Sequence, residues 1–212
     1  MKKYIFISTV AIASISLGYS LELKGSDYIS TQAGTTYNYQ RINASDKDNF
    51  LIETTIKSCN DDKTICKYVS KIRDSSDKKA YGSESSYAYD IKQDGAVYIQ
   101  YPNLEKETLL LPANIEFNKV RKSSSTNANS QSTGTYEFTK QIPEINVNGK
   151  NYKNCIELKA KSNININDKT IKTQSQEVYC KGIGLVKEEF RETRGSNAPV
   201  VYTNILSSII KN

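Results

Sequence analysis

Four cysteines and 15 tyrosines are the side chains in this 212-residue sequence best equipped for chemistry, and histidine is absent. The missing imidazole removes Ser-His-Asp and Cys-His nucleophilic sites, and with them the commonest transition-metal ligand. Adjacent carboxylates occur at Asp61-Asp62 and Glu188-Glu189, but neighbouring residues in a strand point to opposite faces and do not form an acid/base pair. Asn60, Asp61 and Asp62 offer too few oxygen ligands for a firm calcium loop and read as a polar hairpin tip. Gly182-Ile183-Gly184 lacks the third glycine of a dinucleotide fingerprint, since position 187 is Lys, and reads as a bulge or a close strand contact. No catalytic residue, cofactor or metal is therefore expected. The chain reads as non-enzymatic.

The elements that must position these residues begin with an export leader. Lys2 and Lys3 precede an apolar run from Tyr4 to Leu17, followed by the small residues Gly18 and Ser20. That order suits a signal peptide, residues 1–20, cleaved after Ser20, and the run is short for a transmembrane helix. No cysteine stands at the cleavage point to carry a lipid. Losing Lys2 and Lys3 with the leader leaves 27 basic and 23 acidic residues. The excess is mild and spread along the chain, apart from Lys78-Lys79 and the group at 119–122, so no nucleic-acid partner is expected.

Behind an export leader, four cysteines imply two disulfides in an oxidising compartment. Folding the chain about Asp62 and Lys63 sets Cys59 opposite Cys66 and Ile56 opposite Val69. Folding about Asn167 and Asp168 sets Cys155 opposite Cys180 and Ile156 opposite Tyr179. The pairs are expected to be Cys59 with Cys66 and Cys155 with Cys180. Zinc is disfavoured, because there is neither histidine nor a Cys-x-x-Cys spacing.

Short runs rich in Tyr, Thr, Ile and Val predict strands over residues 35–42, 50–58, 64–72, 87–91, 96–101, 108–111, 115–120, 135–147, 150–161, 171–180, 185–191 and 200–209. Asn148-Gly149 is a two-residue hairpin signal that places Ile145 opposite Tyr152. Gln93-Asp94-Gly95 suits a three-residue loop pairing Ile91 with Val97 and Tyr89 with Ile99. The expected fold is mostly β, an antiparallel meander curved into a half-barrel or open barrel with few helices. Residues 21–33 read as an N-terminal extension and 34–212 as a single β domain. Within it, residues 123–134 carry only Ser, Thr, Asn, Gln, Ala and Gly, and read as a mobile polar loop, with 74–86 a second polar interruption.

On the expected hairpin, Tyr87, Tyr89, Ile91, Val97, Ile99 and Tyr101 share one face and Tyr98 faces the other way. Two readings stay open for this face. It either packs amphipathic tyrosines on the sheet core, or it lines a ligand cleft with Tyr87, Tyr89, Ile99 and Tyr101.

Three stretches carry a family resemblance. They are Gly34-Thr35-Thr36-Tyr37-Asn38-Tyr39, residues 151–158 beginning Asn-Tyr-Lys-Asn-Cys, and residues 179–187, Tyr-Cys-Lys-Gly-Ile-Gly-Leu-Val-Lys. Together they resemble a family of small bacterial envelope proteins whose domains look like open or half-closed β-barrels. The family's last motif commonly reads aromatic, Ala-Pro, Gly-x-Gly-Leu-Val-Lys, from which Cys180-Lys181 departs. The resemblance implies a fold similar to periplasmic half-barrels that carry lipids and lipoproteins. Expected on this basis is a soluble exported protein, periplasmic or secreted, that binds a lipid or acyl chain. The alternative is an interaction module that engages an envelope or host protein through its strand edges.

Overall fold

The computed structural model describes residues 22–44, 49–102, 106–127, 130–166 and 169–211. The expected signal peptide lies outside these residues, as does the hairpin turn at Asn167-Asp168. Twelve strands form one antiparallel sheet: β1 (Thr35–Asn43), β2 (Phe50–Cys59), β3 (Ile65–Asp74), β4 (Ser85–Ile91), β5 (Val97–Gln100), β6 (Thr108–Leu111), β7 (Arg121–Asn127), β8 (Ser130–Val147), β9 (Lys150–Ile166), β10 (Lys169–Cys180), β11 (Gly184–Arg194) and β12 (Val200–Lys211). The order is β6-β5-β4-β3-β2-β1-β12-β11-β10-β9-β8-β7. Every neighbour is sequential except β1 with β12, so a meander is joined end to end by its first and last strands. The free edges are β6 and β7.

Curvature brings those edges close together. Val97 and Leu111 from β5 and β6 share one core cluster with Phe138, Ile156, Leu158 and Tyr179 from β8, β9 and β10. Such contacts across the curl require the sheet to be nearly closed into a barrel, with its apolar face inward. Between β6 and β7, residues 112–120 cross one end of the barrel. Phe117 makes only an isolated parallel bridge to Phe138, and Asn118 sits at φ 59°. The strand expected over 115–120 is therefore absent, because this stretch spans the seam and has no antiparallel neighbour.

The polar segment 123–134 also departs from expectation. Lys122 to Asn127 pair with Ser130 to Thr135 as a hairpin, and β8 pairs onward with β9 from Ser130. A low-complexity side-chain run can still be a strand when its backbone groups find partners on a neighbouring strand, and here β8 supplies them to β7 and β9 to β8. Residues 75–84 do form an irregular connection, turned by Asp74, whose carboxylate accepts hydrogen bonds from the Ser76 amide and hydroxyl.

Both disulfides form as the turn geometry required, with Cys59 bonded to Cys66 and Cys155 to Cys180. Ile156 stands opposite Tyr179, and Ile145 opposite Tyr152 across a turn whose Asn148 and Gly149 take φ values of 50° and 76°. One register differs: a bulge at Lys57 sets Ile56 against Tyr68 and moves Val69 against Thr55. Gly182 lies in the β10–β11 turn and Gly184 opens β11, opposite Cys180. Among the described residues the only helical element is one 3-10 turn, Gly25–Tyr28, and no helix is long and apolar enough to cross a membrane.

Candidate functional site

Residues 22–34, which take in most of the expected extension at 21–33, form a strap across the end of the barrel that carries the β2–β3, β4–β5 and β10–β11 turns. Its backbone is tied to each in turn. Ser26 donates to the Gly95 carbonyl, Gly25 to Pro112, and Gly34 to Ile56, while the Leu23 and Asp27 carbonyls accept from Ile115 and Gly182. Two side chains plug the barrel from this strap: Tyr28 and Ile29 are 1% and 5% exposed and join the core cluster of Val97, Leu111 and Phe138. Gly25 approaches β6 so closely that a Cβ there would stand 2.6 Å from the Pro112 oxygen. The composition of the strap hides this role, because its contacts are mostly backbone.

Above the strap lies a cavity of about 240 Å³ in the barrel interior, with Ile29 and Ser30 as its floor. Alternate residues of β1, β2, β3 and β4 bring in Tyr37, Tyr39, Ile52, Thr54, Tyr68, Tyr87 and Tyr89, and the far wall is Tyr179, Ile183 and Leu185. Six tyrosines thus line one space. Their rings pack on one another, with Tyr68 and Tyr87 stacked at 5.3 Å and Tyr89 4.4 Å from Tyr68. Tyr39 reaches across to donate to the Leu185 carbonyl at 3.0 Å, and Tyr68 donates to the Ser30 carbonyl at 2.5 Å. Burial pushes the Tyr87 phenol up to about 12, and burial also raises Tyr39, Tyr68 and Tyr89. The phenols therefore remain neutral hydrogen-bonding groups.

The side away from the strap is polar. Arg41 Nε donates to Asn204 Oδ1 at 2.9 Å, and Asn204 Nδ2 donates to Glu188 Oε2 at 2.5 Å. The Arg41 guanidinium also lies 3.9 Å from the centre of the Tyr202 ring, a cation–π contact. Glu188 stands directly opposite Glu177, which accepts from the Tyr179 and Ser175 hydroxyls. Burial and then the Glu177 charge raise the Glu188 carboxyl above its ordinary value, against the Asn204 hydrogen bond and the Arg41 charge. The cavity is thus amphipathic, with aromatic and aliphatic walls below and Arg41 and Asn204 above, Asn204 being hydrogen-bonded in turn to Glu188.

Of the four residues expected to face a ligand, Tyr87 and Tyr89 line this cavity, while Ile99 and Tyr101 do not. Tyr101 packs its ring 5.8 Å from Tyr87 and is 40% exposed, because it lies past the end of β5, beyond the last pair with β6 at Ile99 and Thr108. Sequence reasoning on a single hairpin missed Tyr37, Tyr39, Tyr68, Tyr179, Arg41 and Asn204. Only barrel closure brings them to the same space. The Gly-x-x-aromatic-x-aromatic strand did contain a signal, in Tyr37 and Tyr39, since alternate residues point to one face.

No family model matches the chain, and no curated protein matches it. Solved structures do. One is described as a candidate lipoprotein from Parabacteroides distasonis ATCC 8503, 14% identical, with a TM-score of 0.62 over 86% of this chain and 98% of that one. Another, 15% identical, is described as a candidate exported protein with a YmcC-like fold from Bacteroides fragilis NCTC 9343. It aligns with a TM-score of 0.57 over 87% of this chain and 99% of that one. The likeness is one of fold. The chain aligns with almost the whole length of both structures.

Proposed function

We propose that this chain is an exported, non-catalytic binding protein of the bacterial envelope that holds a small amphipathic ligand inside its barrel. The observation that carries the reading is the cavity itself: a space walled by tyrosine and aliphatic side chains, with Arg41 and Asn204 along one side, Asn204 held from behind by Glu188. Convergent polar groups on an otherwise apolar cavity are the usual form of a small-molecule site. Its volume of about 240 Å³ lies below that of pockets for drug-sized ligands, roughly 300–1,000 Å³. A single short acyl chain or a small amphiphile fits that size better than a whole diacyl lipid. Two disulfides, with no free cysteine among the described residues, support an oxidising compartment, of which a Gram-negative periplasm is one. Fold likeness to proteins described as exported or lipoprotein candidates supports the same placement.

The test is native mass spectrometry of protein purified from the periplasm without detergent, with organic extraction, followed by titration with dodecanoic acid. A bound acyl species or saturable 1:1 binding is expected, with both reduced when Ile52→Trp fills the cavity. A clean apo mass together with no saturable binding would overturn the reading.

A further inference from the structure

The outer face of β7–β10 carries a second concave feature, unconnected with the barrel interior. It is a shallow trough of about 610 Å³ running across the strands. One wall is a continuous cross-strand row, Lys122 opposite Thr135, Thr135 opposite Lys161, and Lys161 opposite Gln174. The other wall is the row two residues further along, Ser124, Thr133, Asn163 and Lys172. The intervening row turns its side chains to the interior, where Ser162 and Thr173 hydrogen-bond at 2.7 Å, and leaves backbone as the floor. Rows two residues apart are separated by about 7 Å, and neighbouring strands by about 4.8 Å, so the trough is narrow and several strands long.

Its chemistry is one-sided. Neither wall contains an acid, and Lys122, Lys161 and Lys172 are exposed with no salt bridge among the described residues. Beyond Gln174 the first row continues to Arg191, also exposed. On other faces some exposed lysines do lie beside carboxylates, Lys79 by Asp77, Lys119 by Glu116 and Lys181 by Asp27. Between the charges the walls present only hydroxyls and carboxamides. Ammonium groups recognise phosphate as a point charge, and Ser, Thr, Asn and Gln side chains exchange hydrogen bonds with sugar hydroxyls.

We propose that this trough is a binding site for a sugar or polyol headgroup bearing clustered phosphates. The chemistry is common to a free phosphorylated polyol and to the headgroup of an anionic glycolipid or phosphoinositide. Calorimetric titration with inositol hexakisphosphate and co-sedimentation with phosphatidylcholine vesicles containing phosphatidylinositol 4-phosphate distinguish the two sources. Saturable binding to the free probe identifies a soluble ligand, and binding to vesicles alone identifies a lipid headgroup. Either supports the site, provided that Lys161→Gln with Lys172→Gln weakens binding by about fivefold per lysine removed. The charge-matched control is Lys57→Gln with Lys67→Gln, two exposed lysines on β2 and β3. Equal loss in the control pair, or no binding to either probe at low salt, would overturn the proposal. All four lysines are exposed, so the variants test recognition and not folding.

Discussion

Tyr68 on β3 donates its hydroxyl to the carbonyl oxygen of Ser30 in the strap, 2.5 Å away, and so ties the wall of the cavity to its floor. The contact spans 38 residues of sequence and joins the strap to an interior strand of the sheet. Removing the hydroxyl leaves a carbonyl without this partner. Tyr68→Phe should cost about 0.5–1.5 kcal/mol in urea unfolding, and amide exchange over residues 25–31 should quicken. Unchanged exchange there would mean that backbone hydrogen bonds alone hold the strap.

Gly25 tests the same strap by steric means. A methyl group at this position meets the Pro112 oxygen at 2.6 Å and the Leu111 Cβ at 2.7 Å, both on the barrel side. Neither neighbour is the free end of a flexible chain. Gly25→Ala should destabilise the fold by about 1–3 kcal/mol, read as a lower urea midpoint.

The two disulfides should differ in worth. Cys155–Cys180 closes a separation of 25 residues and Cys59–Cys66 one of 7. On loop-closure entropy these correspond to about 3.5 and about 2.5 kcal/mol. Replacing each pair by alanine and comparing thermal midpoints should give the larger loss for the 155–180 pair. Equal losses would place the stabilisation in local packing, where Cys66, Cys155 and Cys180 are all fully buried.

Glu188 carries a stability cost at neutral pH. Its carboxyl is raised, chiefly by burial and next by Glu177, so the folded chain binds its proton more tightly than the unfolded chain does. Such a group leaves stability intact below the unfolded value and subtracts from it as pH rises through the folded value. Glu188→Gln, which keeps an oxygen for Asn204 Nδ2, should raise the urea midpoint at pH 7. The gain should fade as the pH is lowered past the ordinary glutamate range. A gain independent of pH would point to packing instead of charge.

The buried phenols predict alkaline behaviour by the same linkage. Burial raises Tyr87 and Tyr202 to about 12, above the ordinary tyrosine value of 10.0. Stability is therefore fully present below about pH 10 and falls as the pH rises toward 12. Spectrophotometric titration should show a late tyrosine fraction that ionises together with unfolding. Complete titration near pH 10 in a still-folded chain would contradict burial of the cluster.

Local signals were enough to read much of this protein from its residues. Asn148-Gly149, Gln93-Asp94-Gly95 and the alternation of Tyr87, Tyr89 and Ile91 dictate hairpins, and folding about Asn167 and Asp168 places Cys155 opposite Cys180 within a single pair of strands. Such features depend on backbone preference and on partners a few residues away, both of which a linear sequence displays. The 123–134 segment shows the limit: its side chains hold no core signal, and its strand character comes from backbone pairing of β7 with β8 and of β8 with β9. Closure decided the rest. Pairing of β1 with β12 unites the first and last strands, and only then do Tyr39, Arg41, Tyr179 and Asn204 enclose a common space. Long-range pairing is set by the summed burial and curvature of the whole sheet, a global quantity that no short stretch encodes.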